Sequence, residues 1–383
     1  MLGWFKKRNK AKETEFIEFL RAEEKADALA LSAVISAISN ISDTVASLPL
    51  NLFENKDEHK IIAKNHPLYR LIRFAPNQTM TPYTLFEALV KSMLIYGNAF
   101  IYPIRNRKKE VISLEFIDEP SKLSLYKDEK GLYYYLYNAG VRLEYNEVVN
   151  IPYHTQDGIK GIAPLRKSKN TAKLASLIEN HGLKFFENGA FASGVLEVAN
   201  RLDTEHYERL KESFASAFSK QNAYKPIILE EGSKFTPVFS ANKDSQLLEL
   251  KQFQVIEIAR LFNIPPHKLG DLSRATFSNI EQQETNYMVQ TIAPLTTKIE
   301  QALNRFLLRE DEWGHFYFKF NVNAVLKADI STRWDSYTKA LQNGVMCVNE
   351  VRELEELNPI ENGNIYFQAL NMTQMGANNE PQG

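Results

Sequence analysis

Between Ile280 and Leu308 apolar residues recur at alternating steps of four and three: Met288, Ile292, Leu295, Ile299, Ala302 and Phe306. That spacing predicts one continuous helix, about 43 Å long at a rise of about 1.5 Å per residue. Pro294 lies in its interior. A proline there removes a backbone hydrogen bond and crowds the preceding turn, so a kink is expected. Upstream, Leu247, Leu250, Phe253, Ile256, Ile258 and Leu261 form a broad apolar stripe over Asp244–Phe262, as a second helix requires. Pro265 and Pro266 end it, because neither donates an amide and each restricts the residue before it. The intervening loop, FNIPPHKLGDLSRATFSN, carries Gly270 and a Ser273–Asn279 run with helix-start character. A helix, a proline-stiffened loop and a long bent helix suit a mechanical part, with Pro265, Pro266, Gly270 and Pro294 as its hinge and kink positions.

The 383 residues suffice for two or three cores, or one core with elaborations. A content of 44% hydrophobic and 24% charged residues is ordinary for a folded protein. The net charge of −1 leaves no overall polycation to grip nucleic acid by counterion release. A tight DNA binder is therefore disfavoured, whereas a passage through which DNA slides is not, since strong phosphate contacts there would act as a brake. The single cysteine, Cys347, excludes an internal disulfide and any multi-cysteine metal site, and it fits a reducing compartment. No apolar run reaches the roughly 18–20 residues of a membrane span. The opening MLGWFKKRNKAK is basic but has no apolar region after it, so a secretory signal is not expected.

In chain order, residues 1–26 form a charged, flexible arm. Val34, Ile38, Ile41, Val45 and Leu48 mark one face of a helix within Ala28–Leu52; Pro49 ends it and LPLNLFE alternates as a strand. A short helix over Pro67–Phe74 precedes another from Pro82, capped by Thr81 and closed by Gly97 and Asn98. Residues 99–155 contain the strand candidates AFIYPI, VISLEFI, KLSLY, LYYYLYN and EVVNIPY. The tyrosines of 133–137 read as packing residues rather than a base-stacking surface, because no basic residues interleave them. Gly158, Gly161 and Pro164 lead into a helix over Leu165–Asn188 ended by Gly189; the phosphate-loop pattern is incomplete. GVLEV is a strand, Asp203–Ser219 a helix capped by Asp203 or Thr204, and KPIILEEGSKFTPVFS a hairpin around Glu231–Gly232. Phe316, Phe318, Phe320 and Val322 alternate as in a half-buried strand. A helix over Asp329–Gln342 is closed by Gly344, a short one ends at Asn358–Pro359, and 371–383 is a polar tail. The fold class is α+β.

No catalytic constellation is legible. The histidines at 59, 66, 154, 181, 206, 267 and 315 are scattered and form no HExxH pair. Cys347 has no partner motif and reads as a buried, inert thiol. Glu281 and Glu284, and Glu353, Glu355 and Glu356, read as solvated helix faces. We expect no metal, no cofactor and no enzymatic activity.

IARLFNIPPHKLGD followed by ATFSNIEQQETNYMVQTIAPLTTKIEQALNRFLL resembles the core of the portal proteins of tailed bacteriophages, of the siphovirus head-portal type. Further matches occur in the family's order: ISAISNISDTVASLPLNLFE, HPLYRLIRFAPNQTMTPYTLFEALVKSMLIYGNAFIYPIRN, the stretch from HTQDGIKGIAPLRK to GVLEV, and MCVNEVRELEELNPIENG. The resemblance implies a mixed wing (27–164), a first stem helix (165–192) and a small α/β clip (193–243). It continues with a second stem helix (244–262), a channel loop (263–279), a long kinked wing helix with a wing strand (280–328) and short C-terminal crown helices (329–370). It implies a ring of about twelve identical chains closed by heterologous contacts, set at one capsid vertex of a virion assembled in the bacterial cytoplasm. Double-stranded DNA would pass through it without sequence readout during packaging and ejection. The large terminase subunit, the major capsid or scaffolding protein and a head-completion adaptor are the implied partners, with no membrane. On this reading His267, Lys268, Ser273, Arg274, Thr276 and Ser278 are the DNA-facing loop residues; alternatively Lys268 and Arg274 pair with acids of an adjacent subunit. Asp203, Glu208, Lys225, Glu230, Glu231 and Lys234 fall on the motor-docking clip. The competing readings are a soluble α+β enzyme with a dispersed site and a scaffold or adaptor that forms no ring.

Overall fold

The computed structural model describes residues 31–56, 59–138, 140–187, 194–198, 203–217, 233–237, 242–273, 277–322, 330–355 and 357–367. They fall into two compact units, one up to Asn321 and one from Val322.

In the first unit, α1 (Ser32–Ser47) buries Val34, Ile38, Ile41 and Val45, the face its spacing predicts. Strands β1 (Leu50–Lys56) and β2 (His59–Ile62) follow, then α2 (Pro67–Arg73). Helix α3 (Pro82–Tyr96) starts with a reciprocal capping box between Thr81 and Thr84 and stops at Gly97, whose φ is +91°. The antiparallel strands β3 (Asn98–Arg105) and β4 (Val111–Phe116) come next, followed by the meander β5 (Leu123–Lys127), β6 (Tyr133–Tyr137) and β7 (Val141–Glu144). Strand β8 (Val149–Pro152) pairs back onto β3, and the two-residue strands β9 (His154–Thr155) and β10 (Gly161–Ile162) close a turn. β2 and β7, of four residues each, and β9 and β10, of two each, go unpredicted.

The Gly158–Gly161 turn is a packing device. A side chain at Gly161 would place its Cβ 1.7 Å from the carbonyl oxygen of Gly97, an impossible approach. Gly161 N donates to Asn98 Oδ1 at 2.7 Å, and Asn98 Nδ2 donates to Asn150 Oδ1 at 2.7 Å. This satisfied buried amide pair fixes the β3–β8 edge against the turn. Tyr135, fully buried, stacks on Tyr145 at 5.6 Å and meets Phe100 edge-on, so the tyrosine-rich strand puts its central ring into a core.

The helix expected over Leu165–Asn188 is instead two pieces, α4 (Pro164–Lys167) and α5 (Lys169–Glu187), separated at Ser168 (φ −130°, ψ 52°); Asn188 and Gly189 lie outside the described residues. Then come β11 (Gly194–Glu197), α6 (Thr204–Ala217) and β12 (Lys234–Pro237). β12 pairs antiparallel with β11, and the hairpin turn expected at Glu231–Gly232 lies outside the described residues. Helix α7 (Asn242–Phe262) leads into the proline-marked turn, and α8 (Phe277–Tyr287) leaves it. α8 continues through a π-helical turn, Met288–Ile292, into α9 (Ala293–Leu307). The irregularity expected at Pro294 is thus a widened turn just ahead of the proline, one of the recognised origins of helix bends.

Strand β13 (Phe316–Phe320) adds to the outer edge of β1 and buries Phe318 and Phe320. Its amides do not go unpaired: Phe318 N donates to Asn304 Oδ1 at 2.7 Å and Phe320 N to Glu300 Oε1 at 2.8 Å. Glu300 and Asn304 stand four residues apart on α9, so one face of that helix closes a sheet edge that would otherwise be open to pairing.

In the second unit, α10 (Ile330–Gln342) is closed by Gly344 at φ +67°. α11 (Val348–Leu354) stops ahead of Asn358, its end tied by Leu357 N donating to Arg352 O at 2.7 Å. Arg333 and Tyr337 of α10 both reach Glu355. Cys347 is buried at the start of α11. No helix of the described residues is long and apolar enough to cross a membrane.

Candidate functional site

The turn between α7 and α8 is built by local chemistry. Asn263 takes a left-handed conformation (φ +53°), which asparagine tolerates better than most residues. Ile264, buried, donates its amide to Ala259 O at 2.9 Å, closing the end of α7. Pro265 is extended, Pro266–Leu269 forms a 3-10 turn, and Gly270 follows at φ +88°, where a side chain would be strained.

Three supports hold this turn. The first is the π-turn: Asn263 Nδ2 donates to Thr291 Oγ1 at 3.1 Å and to Gln290 O at 3.3 Å, and Thr291 Oγ1 donates back to Asn263 O. The second is α8. His267 Nδ1 lies 2.9 Å from Gln283 Oε1, and its Nε2 lies 2.9 Å from Glu284 Oε1. Lys268 Nζ stands 2.9 Å from the same Glu284 oxygen and 4.8 Å from the centre of the Tyr287 ring. The third is α1. Asn40 Nδ2 donates to Lys268 O at 3.3 Å, and Tyr287 Oη donates to Asn40 O and Thr44 Oγ1, both at 3.3 Å. Burial works against the charge on Glu284, yet hydrogen bonds from His267 and Lys268 and the charge of Lys268 hold its pKa below the ordinary carboxylate value.

The loop residues expected to act together thus separate. His267 and Lys268, whose side chains are only 11% and 21% exposed, are engaged inside the chain with Glu284, a residue that reads from sequence as part of a solvated face. Ser273 lies beyond them on the exposed tip, its amide donating to Asp271 Oδ1 at 3.0 Å. Arg274 and Thr276 lie outside the described residues, and Ser278 occupies the first turn of α8. Pro265, Pro266 and Gly270 shape the turn itself, and Pro294 follows the π-turn. The supports Asn40, Asn263, Glu284, Tyr287 and Thr291 are missed by sequence reasoning. Only Asn263, a turn-forming residue directly before IPP, carries a signal that could have found one.

Among the expected clip residues, Asp203 caps α6 by accepting from His206 N at 2.8 Å, Glu208 pairs with Lys211 at 3.3 Å, and Lys234 stands opposite Glu197 in the β11–β12 ladder. Lys225, Glu230 and Glu231 lie outside the described residues. Among the described residues no three histidine, cysteine or acidic side chains gather as a metal site would require.

The mixed α/β fold is that of the phage portal proteins. The chain belongs to the phage portal protein family, whose model matches residues 32–356. It is 28% identical over 364 residues to the portal protein of Enterobacteria phage HK97, covering 92% of this chain and 86% of that one. It is 29% identical over 378 residues to the probable portal protein of Streptomyces phage phiC31, covering 93% and 81%. The fold is shared with an HK97-family phage portal protein from Corynebacterium diphtheriae (TM-score 0.59, 21% identity, 79% of this chain and 97% of that one). It is also shared with a chain from the neck of a native gene transfer agent particle, computed with C12 symmetry (TM-score 0.58, 20% identity, 90% and 96%).

Proposed function

We propose that copies of this chain close into a ring at one capsid vertex and that double-stranded DNA is packaged and later ejected through its centre. In this reading α5 and α7 are the stem, the β11–α6–β12 segment is the clip on which the terminase and then a head-completion adaptor dock, and the α7–α8 turn is the channel loop. The observation that carries it is the bracing of that turn. Its base is tied to α1, α8 and the π-turn, while Asp271, Leu272 and Ser273 continue outward from Gly270 with Leu272 64% exposed. A rigid base with a projecting tip suits contact with a moving duplex better than binding of a small ligand. His267 and Lys268 serve the base, and the candidates for phosphate contact are Ser273 on the exposed tip and Ser278 at the start of α8, together with Arg274 and Thr276, which lie outside the described residues. A few such contacts give sequence-independent passage. The net charge of −1 fits, because a strongly basic lumen would hold DNA fast.

Mass photometry and negative-stain imaging of the purified chain test the ring. The expected result is a closed annulus of about twelve 44.0 kDa subunits. A preparation that remains monomeric or dimeric, in the presence of scaffolding protein as well as alone, contradicts the proposal.

A further inference from the structure

Helices α5 and α7 pack on each other, yet each leaves a largely exposed line on its far side, centred on Leu177 in α5 and on Phe253 and Ile256 in α7. On α5 the inward residues are Ala172, Ala175 and Ile178. On the far side Lys173, Leu177, Asn180 and Lys184 follow one another at steps of four, three and four, all exposed, with Leu177 at 56%. On α7 the inward residues are Gln254, Ile258, Ala259 and Phe262. Its far side shows the same four-three-four line, Glu249, Phe253, Ile256 and Arg260, with Phe253 50% exposed and Leu250 beside it at 47%. Residues so spaced form one ridge on a helix.

The ridges differ in charge. The α5 ridge carries two lysines and no carboxylate. The α7 ridge carries Glu249 and, lower down, Arg260 already paired with Glu257. Their heights also match. The ladder Gly194↔Pro237 joins the segment leaving α5 to the one entering α7, and Lys251 Nζ comes within 3.5 Å of where a Cβ on Gly182 would stand. The helices therefore run antiparallel, and setting Gly182 opposite Lys251 brings Lys184 to about the level of Glu249, Asn180 to that of Phe253 and Leu177 to that of Ile256, within about one helical turn. Rotation about an axis along the pair preserves those levels.

We infer that the Lys173–Leu177–Asn180–Lys184 ridge of α5 in one copy seats on the Glu249–Phe253–Ile256 ridge of α7 in the next copy, head to tail around the ring. The inference rests on the ring reading above and adds which faces meet. Two ridges on opposite sides of one helix pair, level in height and setting Lys184 against Glu249 and Leu177 against Ile256, make a heterologous contact that repeats from copy to copy. Lys173 meets the Glu257–Arg260 pair, so the apolar and Lys184–Glu249 contacts carry the pairing.

The test uses assembled full-length chain carrying Asn180→Cys and Phe253→Cys, treated with a short bismaleimide; the native Cys347 is buried. The expected result is a ladder of covalent multimers well beyond dimers in the double variant and none in either single variant. In parallel, Lys184→Glu or Glu249→Lys alone lowers the ring fraction about tenfold, and the combined swap restores it, with circular dichroism unchanged throughout. Rings that form without the ladder, or dimers from a single-cysteine variant, overturn this pairing and leave the ring standing. A wild-type chain that never forms rings overturns the ring reading and this inference together.

Discussion

Asn263 donates its side-chain amide to the carbonyl of Gln290 at 3.3 Å, and that carbonyl is the one Pro294 cannot serve. In an unbroken α-helix the amide of residue 294 would donate to residue 290; proline has none. The π-turn, with Ala293 N donating to Met288 O, and the asparagine together accommodate the gap. The break in the long helix is thereby joined to the base of the projecting turn.

Pro294→Ala restores a donor that competes for Gln290 O. Amide hydrogen exchange is expected to rise across 263–270 and to fall across 288–294, with little change elsewhere. Equal exchange in both proteins would show that the proline does not control the turn.

Asn263→Ala loses the bonds to Thr291 and Gln290 and puts a Cβ residue with no local hydrogen bonding into the left-handed region. The expected cost is about 2 kcal/mol. Asn263→Gly keeps the backbone at ease and loses only the side-chain bonds, so urea denaturation should place it between wild type and the alanine variant.

Glu284→Gln removes the carboxylate shared by His267 and Lys268. Because that carboxylate is 38% exposed, solvent screening limits the global loss to about 1 kcal/mol or less. Local exchange at Pro266–Gly270 should rise severalfold, and an unchanged pattern would remove Glu284 as the anchor.

Acid should act on the same anchor. The pKa of Glu284 in the folded chain lies below its ordinary value of 4.5, so its stabilising contribution is complete above that value. It is lost as pH falls through the lower folded value. Exchange in the turn, corrected for intrinsic rates, should therefore rise as pH falls below about 4.5. The Glu284→Gln variant should show a smaller rise.

Gly161→Ala should fail outright. Its Cβ would fall 1.7 Å from Gly97 O, a backbone atom, and relief would break the Asn98–Asn150 pair. A loss above about 3 kcal/mol, read as insolubility or a collapsed denaturation midpoint, is expected.

Much of this was legible in the chain, for identifiable reasons. The face of α1, and the Thr81 cap and Gly97 stop of α3, carry strong local signals, and the structure follows them. Pro294 announces an irregularity but not its form, because a π-turn depends on what the freed carbonyl finds, here Asn263 from a different element. Glu284 looks like any acid on a helix; its role depends on His267 and Lys268 arriving from 17 and 16 residues away in sequence. Charge runs and periodicity report one element at a time. Contacts that brace a turn join three elements, and no single stretch records them.

On the proposed reading the Gly270–Ser273 tip faces the axis of a ring. A cryo-electron microscopy reconstruction of the assembled particle measures this directly, as the radial position of Leu272 relative to the channel. The tip is expected at the narrowest part of the lumen, with α5 and α7 lining the passage beside it. A tip on the outer perimeter, or buried against a neighbouring copy away from the axis, would contradict it.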